Sequence, residues 1–167
     1  ISFCEEIVAQ EGVSLSVKYA RGMARVQGDA EMLKQVFLNV ILNAFQAMPG
    51  GGALEIETRM IGTAENRPAV EPLVEVRFSD TGIGIPAEHL VKIFDPFFST
   101  REKGSGLGLA IVHSIIDMHG GFIDVESREG GGTLFSILLP LAVHVLQTKR
   151  HGQVGSERRK KKALMKG

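Results

Sequence analysis

The chain has 167 residues, of which 44% are hydrophobic and 23% charged, and its formal net charge is zero. That length and composition suit one globular domain with its own core and exclude an intrinsically disordered chain. The single cysteine, Cys4, excludes an intrachain disulfide and a zinc cluster and is typical of a reducing compartment. No apolar run approaches the roughly 20 residues that a membrane helix needs. We therefore expect a cytoplasmic domain, whose parent protein is free to carry a membrane anchor elsewhere.

The charges are unevenly distributed along the chain. Residues 149–167 hold eight of the 19 Lys and Arg residues against one acid, which leaves 11 basic and 18 acidic residues in the rest. An acidic body with a basic tail is not the pattern of a dedicated nucleic-acid binder, and we expect the tail to be solvated and flexible. A basic patch for a membrane surface or a partner is the alternative. Because the chain begins with Ile1 rather than Met, we also expect a fragment of a longer protein.

Hydrophobic periodicity and turn residues predict an α/β chain, an α+β two-layer sandwich in which helices cover one face of a mixed sheet. Strands that follow each other directly are predicted to pair as hairpins, and the others are separated by helices. The predicted elements, in chain order, are a helix tail at 3–10, strands at 13–19 and 23–27, a long helix at 29–48, strands at 53–60 and 73–78, a short helix at 86–93, an irregular segment at 94–104, a helix at 107–119, and a hairpin of strands at 122–126 and 133–139.

The long helix carries a stripe of amide side chains on one face. Gln35, Asn39, Asn43 and Gln46 follow each other at spacings of four, four and three residues. Gln suits a helix surface, so a solvent-facing edge explains the two glutamines. Asn is a poor helix former, and its amide oxygen is a ligand that Mg²⁺ accepts, so the two asparagines favour a metal site.

Residues 80–86 (DTGIGIP) follow a predicted strand directly. Two glycines there allow the backbone to approach a flat ligand closely. A carboxylate at the strand end, Asp80, can accept a hydrogen bond from the exocyclic amine of adenine but is repelled by the oxygen of guanine. The alternative is that Asp80 only starts a turn.

Residues 103–109 (KGSGLGL) open the second long helix. Glycines before a helix expose N–H groups at the positive end of the helix dipole, which is a phosphate site, and Arg101 and Lys103 add cations beside it. The segment lacks the Gly-Lys-Ser/Thr of a Walker A loop, and it follows a loop rather than a strand as a Rossmann fingerprint would.

Between these two segments lies an aromatic loop. Phe94, Phe97 and Phe98 fall within five residues of an irregular stretch. A loop that fills the core is one interpretation, and a mobile flap that closes over a ligand is the other.

Taken in order, these four segments resemble the ATP-binding domain of sensor histidine kinases, within the superfamily that includes gyrase B, Hsp90 and MutL. Residues 35–44 look like the family's N box, 80–86 like the G1 box, 94–100 like the F box and 104–109 like the G2 box, while 131–135 and 139–140 look like its closing strand. The versions FFST and NAFQAM are similar to the nitrogen-regulation class. The match implies the Bergerat fold over residues 1–141 and leaves 142–167 as the basic tail.

The resemblance also implies ATP and Mg²⁺ as ligands and assigns roles by position. Asn43 would coordinate Mg²⁺, Asn39 would lie beside the phosphates, and Asp80 would bind the adenine amino group. The loop at 94–103 would be the ATP lid. The complete set of implied ATP-binding residues is Asn39, Asn43, Asp80, Gly82, Gly84, Ile85, Arg101, Lys103, Gly104, Ser105, Gly106, Leu107, Gly108, Leu109 and Thr133.

Two departures from the family pattern shape the expected activity. None of the five histidines is followed by the acidic residue that marks the phosphoacceptor, so we expect the dimerisation and acceptor module to be missing and the fragment to hold no catalytic residue of its own. Gyrase-like relatives carry a Glu general base where this chain has Asn39, so ATP hydrolysis is expected to be slow.

The sequence therefore predicts a histidine kinase catalytic domain that donates the γ-phosphoryl group of Mg-ATP to a histidine on the missing hairpin. A response-regulator receiver domain would follow in the two-component relay, and the parent would be a homodimer. The rival hypotheses are a gyrase- or Hsp90-like clamp ATPase and a degenerate, non-enzymatic partner-binding module.

Overall fold

The computed structural model describes residues 12–20, 22, 25–61, 72–101 and 104–142. The predicted helix tail at 3–10, residues 62–71 and residues 143–167 of the basic tail lie outside these residues. Within them, the elements are β1 Val13–Lys18, α1 Ala30–Ala47, β2 Gly52–Ile61, β3 Leu73–Asp80, α2 Ala87–Leu90, α3 Gly108–Met118, β4 Phe122–Ser127 and β5 Thr133–Pro140.

The five strands form one mixed sheet in the order β1-β2-β3-β5-β4. β1 and β2 pair in parallel, with α1 as the crossover between them, and the other neighbours are antiparallel. The fold class is confirmed as the predicted mixed, mostly antiparallel sheet with helices on one face. The predicted strand at 23–27 is wrong in extent, because only an isolated bridge between Val26 and Leu141 forms in its described part.

α1 begins where the sequence places a cap. The Asp29 carboxylate oxygen Oδ1 accepts hydrogen bonds from the N–H groups of Glu31 and Met32 at 2.9 and 3.1 Å, which satisfies donors that a helix start leaves unpaired. The Asp29 N–H in turn donates to Nε2 of His119 at 3.0 Å, and His119 Nδ1 contacts the carbonyl oxygen of Ile115 at 2.7 Å. His119 therefore joins the end of α3 to the start of α1.

The core lies between the two long helices and the sheet. Val36 and Val40 of α1, Val112 of α3 and Ile137 of β5 have no exposed surface. Val36 and Val40 are four residues apart, as the predicted 3.6-residue period of α1 requires. α2 is shorter than the predicted helix at 86–93, because the chain turns after Leu90.

The register of the sheet brings three polar side chains together at one end. Asp80 is the last residue of β3 and lies opposite Thr133, the first residue of β5, which in turn lies opposite Ser127, the last residue of β4. All three face the helical side, because they alternate in phase with the buried Phe78 and Phe135 and with the partly buried Val125. This end of the sheet forms the floor of the site.

Candidate functional site

A cavity of about 710 Å³ opens between α1, the loop after β3, the aromatic loop and the start of α3. That volume is within the range of small-molecule and cofactor sites. Residues from all four sequence segments line it. The members of the predicted site among them are Asn39, Asn43, Asp80, Gly84, Ile85, Arg101, Gly104, Ser105, Gly106, Gly108, Leu109 and Thr133.

Two of the predicted residues that the structure describes, Gly82 and Leu107, do not line the cavity. Gly82 is buried behind it, where its N–H donates to Asp80 Oδ1 at 2.8 Å. Leu107 is 36% exposed, and its N–H donates to the Ser105 hydroxyl oxygen at 3.3 Å. Lys103 lies outside the described residues.

Asp80 is the one carboxylate buried in the part of the chain that the structure describes, with 6% of its surface exposed. Its Oδ1 accepts hydrogen bonds from the N–H groups of Gly82 and Thr133 at 2.8 and 3.2 Å. No described donor is bonded to its other oxygen, Oδ2. Burial raises the pKa of Asp80 above its usual value, and the two backbone hydrogen bonds oppose the rise. The cavity thus contains a partly satisfied acceptor that a ligand donor can complete.

The loop after Asp80 depends on glycine for close backbone approach. A Cβ on Gly82 would lie 2.6 Å from the carbonyl oxygen of Ala47 in α1. Gly84 has a φ of 71°, and a Cβ there would lie 2.0 Å from the carbonyl oxygen of Arg128. Both contacts leave no room for a side chain. The loop is also tied down at Ile83, whose N–H donates to Ala47 and whose carbonyl oxygen accepts from Gly130 at 3.0 and 2.7 Å.

Three of the four residues in the amide stripe of α1 line the cavity, and one does not. Asn39, Asn43 and Gln46 line the cavity, whereas Gln35 is exposed and does not. The surface interpretation therefore fits Gln35. Gln46 is exposed too, but its side-chain oxygen accepts a hydrogen bond from the Arg101 guanidinium, which joins α1 to the end of the aromatic loop. Burial lowers the pKa of Arg101 below its usual value.

The glycine-rich segment leads into the start of α3 beside α1. α3 begins at Gly108 without a side-chain cap, so the N–H groups of its first turn are left for a ligand or water. A Cβ on Gly108 would lie 3.6 Å from Asn39 Oδ1, which places the helix start next to the amide stripe. Gly106 has a φ of 67°, and a Cβ there would lie 2.4 Å from the backbone of Phe97.

The aromatic loop is partly packed in the core and partly exposed, and the interpretation as a mobile flap stays a prediction. Phe94 and Phe98 are half-buried and pack against the core, as a core-filling loop would. Phe97 is 77% exposed and has a φ of 68°, a left-handed conformation that is costly for a bulky residue. Its N–H donates to the carbonyl oxygen of Gly106 at 2.9 Å. The strained residue therefore holds the loop against the glycine-rich segment.

The family model for histidine kinase-, DNA gyrase B- and HSP90-like ATPases matches residues 28–143. That range contains the amide stripe, Asp80 with its glycine loop, and the glycine-rich helix start described above. The chain belongs to this ATPase family. The sensor kinases described next, at 41–42% identity, confirm the finer resemblance to sensor histidine kinases. The assignment to the nitrogen-regulation class stays a prediction.

Curated relatives and solved structures of this family agree. The chain is 41% identical over 133 residues to the sensor histidine kinase ZraS of Klebsiella oxytoca, covering 80% of this chain and 27% of that protein. It is 42% identical over 137 residues to the sensor kinase CckA of Brucella abortus, covering 77% of this chain and 14% of that protein. The chain thus spans about a quarter or less of the length of these relatives.

Among solved structures, the nucleotide-free catalytic domain of the histidine kinase ThkA superposes with a TM-score of 0.69 at 33% identity, covering 83% of this chain and 86% of that one. The mycobacterial sensor histidine kinase MprB superposes with a TM-score of 0.69 at 29% identity, covering 83% and 89%. In the described part of this ATPase domain, no helix is long and apolar enough to cross a membrane.

Sequence reasoning missed two polar residues at this site. His89 of α2 lines the cavity and packs edge-on against Phe98, with ring centroids 5.5 Å apart, and its Nδ1 is buried with no hydrogen-bond partner among the described residues. Ser127 lies behind Thr133 and bonds to three backbone or side-chain groups. Neither belongs to a recognisable motif. For Ser127, the only available signal was its place at the end of the strand before the glycine turn.

Proposed function

We propose that this domain binds Mg-ATP and donates the γ-phosphoryl group to a histidine on a separate dimerisation module of its parent kinase. The observation that carries the proposal is the buried Asp80 carboxylate at the floor of the cavity, whose Oδ2 has no hydrogen-bond donor among the described residues. An exocyclic amine would complete its hydrogen bonds, whereas a carbonyl oxygen would repel it. Adenine offers that amine, so Asp80 supports an adenine pocket in which Thr133 and the Gly84 loop form the remaining floor.

The opposite end of the cavity has the chemistry that a metal-bound triphosphate requires. The uncapped start of α3, from Gly108, supplies backbone N–H groups and the positive end of the helix dipole for phosphate oxygens. Asn39 and Asn43 supply neutral amide oxygens, which suit Mg²⁺ when water and phosphate complete its octahedron. We assign the metal contact to Asn43 and the phosphate contacts to Asn39, Arg101 and the glycine-rich segment.

The bound nucleotide supplies the phosphoryl group, and its Mg²⁺ neutralises charge on the phosphate oxygens. The chain's own residues position the nucleotide and exclude water from it. Asn39 occupies the helix position at which a carboxylate would act as a general base, and an amide cannot take a proton from water. We therefore expect slow hydrolysis, and the phosphoryl group is kept for a histidine nucleophile supplied in trans.

The finer organisation follows from the same proposal. Residues 1–141 would form the catalytic domain and 142–167 a basic tail. The partners would be the parent's own acceptor hairpin, in a homodimer, and the receiver domain of a response regulator in a two-component relay. The names of the two curated relatives, a sensor histidine kinase and a sensor kinase, support this role.

Calorimetric titration with ATP tests the proposal directly. We expect binding that is stronger with Mg²⁺ than without it, that is weaker for GTP, and that is at least about tenfold weaker in Asp80→Asn. A phosphotransfer assay with radiolabelled ATP should leave the purified chain unlabelled and label an added acceptor hairpin from a related kinase. Label on the chain itself, or rapid intrinsic turnover of ATP, would overturn the assignment in favour of a different ATPase mechanism.

A further inference from the structure

Ser127 connects three parts of the site although no motif includes it. Its hydroxyl oxygen accepts a hydrogen bond from the N–H of Ile85, in the glycine loop, at 2.8 Å. The same hydroxyl donates to the carbonyl oxygen of Gly132 at 2.8 Å. Its third neighbour is the Thr133 hydroxyl, whose oxygen lies 2.9 Å from that of Ser127. The distance alone does not say which of the two hydroxyls donates.

Counting protons settles which hydroxyl donates in that third contact. A serine hydroxyl has one hydrogen and two lone pairs. The Ile85 N–H is a donor only, so it takes one lone pair, and the Gly132 carbonyl oxygen is an acceptor only, so it takes the hydrogen. Ser127 can then only accept from Thr133, because its one remaining site is a lone pair. The Thr133 hydroxyl hydrogen is thereby directed to Ser127.

This arrangement determines what Thr133 offers to the cavity. Thr133 is 5% exposed and lines the cavity beside Asp80, which lies opposite it across the β3–β5 pair. With its hydrogen directed to Ser127, its oxygen presents lone pairs only. Two neighbouring groups on the cavity floor, the Asp80 carboxylate and the Thr133 hydroxyl, are then both acceptors.

We propose that Ser127 is a positioning residue that holds Thr133 as an obligate acceptor and so selects purines with an amino group, rather than a carbonyl oxygen, at position 6. The inference rests on the proposed function, since it requires a nucleotide in this cavity. Ser127 itself does not line the cavity and acts through Thr133.

The test compares ATP with inosine 5′-triphosphate, which carries a carbonyl oxygen at position 6 and no amino group at position 2. In the unaltered chain we expect ATP to bind more tightly. In Ser127→Ala the Thr133 hydroxyl can rotate and donate to that carbonyl oxygen, so the ratio of the two affinities should fall by about tenfold, the size of one hydrogen bond gained by the wrong ligand. A structural role alone would weaken both ligands equally and leave the ratio unchanged.

Two further variants isolate the hydroxyl pair. In a Thr133→Val background, Ser127→Ala should no longer change the ratio, because the group through which Ser127 acts has gone. Ser136→Ala is the matched control, since Ser136 lies on β5 and faces away from the helices, and it should leave the ratio as it was. Thermal unfolding of each variant checks that it is folded.

The outcomes separate the inference from the proposed function. If the unaltered chain binds neither nucleotide, the proposed function fails. If it binds ATP and Ser127→Ala keeps the full preference for ATP over inosine 5′-triphosphate, only the role of Ser127 is refuted. Should Ser127→Ala fail to fold, Ser127→Cys retains a weak donor and acceptor at the same place, and its ratio should lie between those of the alanine variant and the unaltered chain. An unchanged ratio in the folded cysteine variant would equally refute the role.

Discussion

Replacing Asp80 by asparagine should separate ligand binding from stability. The substitution preserves the size and shape of the side chain, and an amide oxygen can still accept the hydrogen bonds from Gly82 and Thr133. It removes the charge and turns the cavity-facing oxygen into an N–H₂ donor. The affinity for ATP should therefore fall, whereas the free energy of unfolding without nucleotide should not.

The loss in ATP binding follows from the type of hydrogen bond. A bond to a charged acceptor contributes about 1.5–3 kcal/mol, so we expect ATP affinity to fall by roughly 10- to 150-fold. The new donor also faces the adenine amine, which adds to the loss. The same donor can bond to a carbonyl oxygen, so GTP and inosine 5′-triphosphate should lose less affinity than ATP, and the base preference should narrow or reverse.

Stability without nucleotide should not fall, and its pH dependence should change. Because burial raises the pKa of Asp80 in the folded state, the folded chain retains a proton that the unfolded chain has already released. The contribution of Asp80 to stability is therefore full below its ordinary pKa and is lost as pH rises through the raised pKa. Asp80→Asn removes this loss, so at pH 7 the variant should be at least as stable as the unaltered chain.

Urea unfolding of the nucleotide-free chain between pH 4 and pH 8, beside calorimetry with ATP and GTP, measures both effects. Asp29→Asn is a matched control, because that carboxylate caps α1 and lies outside the cavity. A variant of Asp80 that bound ATP with unchanged affinity and base preference would refute the adenine assignment. A variant that was clearly less stable at pH 7 would refute the argument that the ionised carboxylate opposes folding.

Three other substitutions test separate parts of the site and its supports. Asn43→Ala should leave Mg²⁺-free ATP binding nearly intact while removing most of the gain from Mg²⁺, which calorimetry with and without the ion measures. Gly84→Ala should lower the free energy of unfolding by more than about 1 kcal/mol and weaken ATP binding, because a Cβ would lie 2.0 Å from the Arg128 carbonyl oxygen and φ is 71°; a normal urea midpoint would contradict this. His119→Ala should cost about 0.5–1.5 kcal/mol in urea unfolding, since it removes an exposed hydrogen bond to the Asp29 N–H, and ATP selectivity should be unchanged.

Local signals in the sequence predicted most of the elements and the segments that form the site. The period of α1, its Asp29 cap and the glycines after α3 are short-range features, and each places its element within a few residues of the observed bounds. Asp80 with its two glycines and the glycine-rich segment could also be found from local signals, because the residues that make each segment recognisable are close together in the sequence.

Contacts between distant residues were beyond such reasoning. Gln46 joins Arg101 across 55 positions, and Ser127 joins Ile85 across 42. The contact of Gln46 with the aromatic loop depends on how that loop closes, and the place of Ser127 behind Thr133 depends on the register of the sheet. Neither is determined by the local sequence pattern. The strand expected at 23–27 was wrong in extent for a related reason, since the one bridge of Val26 needs a partner, Leu141, from the far end of the domain.

The position of β5 in the sheet has a consequence for how the chain becomes a folded molecule. β5 is the last described strand in sequence but lies between β3 and β4. During synthesis β3 therefore has an open edge, and β4 has no strand to pair with, until residues 133–140 leave the ribosome. The long loops that close at that moment predict slow folding. Thr133 reaches Asp80 only in this final step. A nucleotide that needs both residues would therefore bind and stabilise the fully folded domain and not the partly folded chain that lacks β5.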